Sequence, residues 1–368
     1  MTVLPRRPTL RWLLPAIVAL APAAGGSAVG VIRAAAGSDL PHRSAARLVV
    51  DVQKARLDGL SGTIVQNADL GLPALPGTGG SGSSSLTSLV SGSHTLRLWY
   101  AGPNRFRLAL LGSLGESDVV RNGTDLWTWS SKDKSAGHHV VPLSKDAPES
   151  LASASPMTPQ RAAEAALHAI GSSTEVSPGS TTHVAGRSAY QLVLRPRDHD
   201  SLVRTIRIAI DSSTHVPTRV QVFARNHSKP AFEVGFTSFD PTRPAASMFR
   251  FNPPAGTKVT QGSQSPLPGH VGHNSAAGAR GSASAQPQQP KMVGSGWTTV
   301  LVTRVPKGAL KGSGSMGEVL GALPKVSGSW GSGRVLRGTL FSAVLTTDGR
   351  VAVGAVSPQR LFAALSKA

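Results

Sequence analysis

The chain contains no cysteine. That rules out a disulfide framework, a thiolate metal site, a catalytic thiol and the lipid-modified cysteine of a lipoprotein. Two tyrosines in 368 residues leave few platforms for stacking unpaired bases, so no nucleic-acid partner is expected. Acidic residues are scarce too: 19 Asp and Glu stand against 38 Lys and Arg, for a net charge of +19. An excess of this sign suits an anionic membrane or wall surface.

Signatures of catalysis are equally thin. Gly77-Gly79-Gly82 and Gly312-Gly314-Gly317 match G-x-G-x-x-G. No helical pattern follows the first, and no acidic residue follows the second at the distance a dinucleotide site needs. No serine sits in a G-x-S-x-G elbow. His138-His139 near Asp133, and Asp198-His199-Asp200, lack ligand spacing on a rigid element. The expectation is a protein that is not an enzyme and carries no metal or cofactor.

What the chain does have is alternation. In the run from His94 to Ala101, Leu96, Leu98 and Tyr100 point one way while Thr95, Arg97 and Trp99 point the other, the period of two that a strand imposes. After the turn Gly102-Pro103-Asn104, Phe106, Leu108 and Leu110 oppose Arg105, Arg107 and Ala109. Asn122-Gly123 then marks a hairpin leading to Trp127 and Trp129 on one face, with Leu126 and Thr128 on the other. Four further runs read as strands: 189–195, 204–210, 218–224 and 231–239. A closing strand is expected around Phe249 and Phe251. Two helices are expected in this part, one over 41–57 with Ser44 as a cap, and one capped by Thr158 with Pro159 at its first position.

Three local motifs follow one another along this region: Ser61-Gly62-Thr63-Ile64-Val65-Gln66, Pro103-Asn104-Arg105-Phe106-Arg107 and Asn122-Gly123-Thr124-Asp125-Leu126-Trp127. In this order they resemble the LolA-type lipoprotein carriers over residues 40 to 255. Leu114-Gly115-Glu116 before Val120-Arg121 is similar to the related MucB/RseB-like periplasmic regulators of envelope-stress sigma factors. The resemblance implies an α+β fold: an open, strongly curved antiparallel sheet, an unclosed barrel, with helices on its concave face and an apolar cavity between them. It also implies one of two roles. The first is a carrier or binding protein for a lipid or lipidated protein; the alternative is a regulator acting on a membrane anti-sigma factor.

Counting gives independent support for a cavity, because eight to ten one-sided strands have more apolar surface than two helices can cover. The expected lining is Trp99, Phe106, Leu108, Trp127, Trp129, Leu192, Ile208, Val222 and Phe236. Between residues 70 and 93 lies a Gly/Ser/Pro-rich stretch with more aliphatic side chains than a solvated linker uses: Leu70, Leu72, Leu75, Leu86 and Leu89. It reads as a loop able to fold over the cavity mouth, or equally as one packed on the rim.

The ends of the chain complete the organisation. Arg6, Arg7 and Arg11 precede an uncharged run from Trp12 to Ile32, so residues 1–36 read as a signal peptide or a membrane anchor. With the positive charges on its N-terminal side, the remainder is expected outside the cytoplasmic membrane, secreted or tethered. Residues 37–260 form the half-barrel domain and 261–290 a disordered linker by composition. Residues 291–368 read as a small α+β domain ending in a helix from Pro358.

Overall fold

The computed structural model describes residues 40–72, 88–89, 91–143, 158–262, 290–305 and 320–367. The N-terminal segment, Leu75, Leu86, both G-x-G-x-x-G stretches and most of the linker lie outside the described residues.

Thirteen strands form one large sheet. They are β1 (Leu60–Ala68), β2 (Gly92–Tyr100), β3 (Arg105–Gly112), β4 (Gly115–Asn122), β5 (Asp125–Ser130), β6 (Ser135–Val140), β7 (Thr174–Pro178), β8 (Thr182–Val184), β9 (Arg187–Pro196), β10 (Val203–Asp211), β11 (Pro217–Ala224), β12 (Phe232–Asp240) and β13 (Lys258–Gly262). Their order is β13-β6-β5-β4-β3-β2-β1-β12-β11-β10-β9-β7, with β8 paired to β9. Neighbours are antiparallel except β13, which runs parallel to β6. The sheet stays open, with β13 and β7 at its two edges.

Register carries one apolar face across most of this sheet. Leu98 pairs with Leu108, Leu96 with Leu110 and Ile64 with both Leu96 and Phe236. The series continues through Val234 with Val220, Val222 with Ile206, and Ile208 with Leu192. Because side chains alternate, pairing these residues in line puts all of them on one face, here called inner. Two short helices cover part of it. α1 (Ala45–Lys54) is capped by Ser44, whose hydroxyl accepts from the Arg47 N–H, and it packs on β9 and β7. α2 (Pro159–His168) has Thr158 as its cap, Pro159 in its first turn and buried Ala162, Ala163 and Ala166; these small side chains let it lie close on β11 and β12.

The expected closing strand at Phe249 and Phe251 is absent from this place. Ala246–Phe249 is a single 3-10 turn beside β3 and β4 that buries Phe249. The strand that follows is β13, and it reaches the sheet edge at β6.

A second sheet of six strands follows: β14 (Lys291–Val293), β15 (Val300–Arg304), β16 (Lys325–Gly328), β17 (Gly331–Arg337), β18 (Ser342–Thr346) and β19 (Arg350–Gly354), in the order β14-β15-β19-β18-β17-β16. Both of its faces are apolar. Val302, Ala352, Val344 and Val335 lie in line across it and pack on α3 (Pro358–Ser366) through Leu361, Ala364 and Leu365. Leu301, Val353, Ala343 and Leu336, one residue along on each strand, lie in line on the other face, which joins the core of the large sheet. A sheet with two apolar faces must be covered on both.

Candidate functional site

The inner face of the large sheet is the candidate site. Ile64, Leu110, Leu192, Ile208 and Val234 have no exposed surface at all. Four separate pieces, among the described residues, cover this face: Leu48 of α1, the alanines of α2, Leu70 and Leu89 from the chain between β1 and β2, and Phe341, Ala343 and Val353 of the second sheet. Among the described residues, the second sheet is one of the pieces that cover the surface the two helices leave open.

That sheet is held by specific bonds as well as by apolar contact. The Thr339 N–H donates to the Leu70 carbonyl at 2.7 Å and the Leu202 N–H to the Ala355 carbonyl at 2.8 Å. The Trp297 indole N–H donates to the Thr174 hydroxyl at 2.8 Å. Arg360 pairs with Asp200 at the exposed rim. An exposed pair of this kind adds little, so the apolar contact dominates.

The expected lining residues divide into three groups. Leu108, Leu192, Ile208, Val222 and Phe236 come together in the inner core. Phe106 is fully buried in a smaller neighbouring cluster with Val119 and Leu126. Trp99, Trp127 and Trp129 stand on the opposite, outer face, and this corrects the expectation that they line the cavity. Leu98 pairs with Leu108, which turns Trp99 outward, and Val119 pairs with Thr128, which turns Trp127 and Trp129 outward. There Trp127 stacks on His138 with ring centroids 4.3 Å apart, and Trp127 and Trp129 both meet Phe251. Of the expected loop leucines, Leu70 and Leu89 are buried in the inner core and Leu72 packs against it.

One polar feature of the inner face was not singled out from the sequence. Gln66 on β1 and His94 on β2 are directly paired and both are buried among the leucines. The Gln66 side-chain N–H donates to the Leu89 carbonyl, and His94 Nε2 lies 2.8 Å from the Ser91 carbonyl. The available signal was a polar residue in step with an apolar alternation: Gln66 with Ile64, and His94 with Leu96 and Leu98.

On the outer face, Arg107 lies over the Trp99 ring and pairs with buried Asp118, with Glu116 3.7 Å away. Burial, joined by a hydrogen bond with Glu116, pushes the Asp118 carboxyl up to about 7, against the pull of Arg107. A groove of about 790 Å³ lies elsewhere, at the β16–β17 edge between Leu320, Lys325, Arg334 and Thr347. Its Arg334 is already committed to the Gly321 and Leu323 carbonyls. Among the described residues no cluster of three His, Asp or Glu could hold a metal ion, and no helix is long and apolar enough to cross a membrane.

No protein-family model and no curated protein sequence matches the chain. Solved structures similar to it include a MucA/MucB complex of Pseudomonas aeruginosa, at 15% identity over 87% of this chain and 96% of that chain, with a TM-score of 0.41. Another is LppX, a lipoprotein of Mycobacterium tuberculosis, at 12% identity over 52% of this chain and 88% of that one, with a TM-score of 0.25. A LolA superfamily protein of Nitrosomonas europaea is similar at 10% identity over 57% and 99%, with a TM-score of 0.21. Likeness at these scores carries no functional inference.

Proposed function

We propose that the chain is an exported, non-enzymatic binding protein or carrier for an apolar ligand, either a lipid or the acyl chain of a lipidated protein. The observation that supports this reading is how the inner face is covered. One wide apolar surface is closed by two ten-residue helices, two leucines and one face of a second sheet. An acyl chain can compete with such pieces one at a time, gaining about 0.8 kcal/mol per methylene it buries. Ten methylenes bring roughly 8 kcal/mol before ordering costs, enough for micromolar binding at most. The positive charge would hold the carrier near an anionic membrane or wall surface, whether it is secreted or tethered. Mass spectrometry of organic extracts from protein purified without detergent tests the reading. A co-purifying lipid in near-equal molar amount supports it, and a clean extract from folded protein that also binds no lipid on titration contradicts it.

A second reading rests on one specific observation, the seat of the second sheet on the inner face. In that reading the chain is a regulator of a membrane anti-sigma factor, and occupancy of the inner face changes which surface of residues 291–368 is offered to the partner. A stress-regulon reporter that responds to deletion of residues 291–368, and to lipid only when they are present, would favour it.

A further inference from the structure

The outer face of β10 and β11 gathers Arg204, Arg207 and Arg219, none of which has a carboxylate partner among the described residues. Ile206 and Ile208 belong to the inner core, so Arg207 between them points outward, and Val222 on the neighbouring strand sets Phe223 outward too. Arg204 lies three residues from Arg207, and in a regular strand that spacing would put the two on opposite faces. A register shift between Val203 and Thr205 breaks the alternation there and brings Arg204 to the outer side as well. Both guanidiniums stand over the ring of Phe223, Arg207 4.8 Å and Arg204 5.7 Å from its centroid. Phe223 is buried, while both arginines are exposed. Arg204 gives one N–H to the His227 carbonyl, which orients it without neutralising it. In the row that runs from Arg207 through Gln221, the acid is Glu233, two strands away. Arg219, buried on the same face, gives an N–H to the Thr182 hydroxyl. Burial pushes Arg219 down, Glu233 pulls against that, and the charge of Arg207 adds to the push.

We propose that Arg204 and Arg207 form a fork for the phosphate group of an anionic lipid head, so that the outer face of β10 and β11 is the surface that meets the membrane. Like charges side by side repel, and here one shared ring and one backbone carbonyl hold them where an anion relieves the repulsion. A phosphate has oxygens enough to take paired N–H groups from two guanidiniums at once, whereas the two oxygens of a carboxylate are filled by one. A lysine at either place would keep the charge but not the planar fork or the stacking on Phe223. The proposal rests on the part of the reading above that brings the chain to an anionic surface, and it is independent of what the inner face holds.

The test uses the full chain and vesicles of dioleoylphosphatidylcholine carrying either dioleoylphosphatidylglycerol or dioleoylglycerol succinate, matched in zeta potential, so that the added anion is a phosphate in one and a carboxylate in the other. Partition is measured by sedimentation at fixed ionic strength for wild type and for the double variant Arg204→Lys/Arg207→Lys, which keeps the net charge at +19, with cooperative melting as the check on folding. The preference of wild type for the phosphate vesicles over the carboxylate vesicles should exceed that of the lysine pair about tenfold. Replacing chloride by inorganic phosphate at equal ionic strength should weaken wild type on the phosphate vesicles and leave the lysine pair unchanged. Equal preference in the two proteins overturns the inference, since charge alone then accounts for the attraction. It is overturned as well if inorganic phosphate raises the melting temperature of wild type and not of the lysine pair while no vesicle preference is seen, because the fork then serves free phosphate. The two vesicles share their acyl chains, so insertion of residues 1–36 or capture of an acyl chain on the inner face leaves the preference unchanged, and the carrier reading stands or falls by its own titration. Should the lysine pair melt abnormally, Arg207→Lys alone is compared in the same way.

Discussion

At Asp118 the fold works against ionisation. With its carboxyl pushed up to about 7, mainly by burial, it holds more proton in the folded chain than in the unfolded one. Its contribution to stability therefore falls as the pH rises from about 4 to about 7 and is flat above that. The melting temperature of wild type, taken relative to Asp118→Asn, should fall steadily over this range; a difference that does not change with pH would contradict the assignment. Asp211 behaves in the opposite sense. Burial alone would raise it, but the Arg187 fork, the Thr214 N–H and the Ser213 and Thr214 hydroxyls together hold it below the usual carboxylate range. Its contribution is present above the ordinary carboxylate pKa and is lost as the pH falls below it. Asp211→Ala leaves Arg187 and the 211–216 turn without their acceptor and should cost roughly 2–4 kcal/mol, measured by urea unfolding at pH 7.

At the scale of elements, the second sheet is the piece whose attachment matters most. Phe341 is buried in the inner core from a strand end of that sheet, and Phe341→Ala should cost about 3–5 kcal/mol in urea unfolding of the full chain. Hydrogen exchange locates the effect: the Thr339 and Leu202 amides, which donate across to Leu70 and from the large sheet to Ala355, should lose protection first. Equal loss across all strands would mean that the two sheets open as one unit. The same scale shows what could be read from the sequence. Strands with strict alternation, β2, β3 and β9 to β12, and the capped helices α1 and α2 were legible, because burial of one face imposes the period. Short polar strands were not: β6 carries Ser135, Gly137 and two histidines, and β7, β8 and β13 are three to five residues long, so their pairing is decided by the sheet edge they meet. The face of Trp127 and Trp129 was hidden for a related reason. Both faces of β5 carry bulk, and only its register with β4 says which is inner.

Taken whole, the molecule is an open sheet whose apolar side is shared among helices, two leucines and a second sheet with two apolar faces. The five lining residues Leu108, Leu192, Ile208, Val222 and Phe236 could be grouped from alternation alone, whereas the cover over them could not, since the second sheet begins only at Lys291, far along the chain from the end of β9 at Pro196. Because the tryptophans of β2 and β5 face outward, their emission should barely respond to a ligand on the inner face, and Trp297, at the contact between the sheets, is the indole placed to report. The most direct measurement is therefore titration of delipidated, folded full-length protein with a fluorescent acyl lipid, followed by competition with unlabelled lipid. The account predicts saturable binding with one site per chain, micromolar or weaker, accompanied by loss of amide protection at Thr339 and Leu202 as the second sheet yields. Saturation that never comes, in protein whose melting remains cooperative, would contradict it.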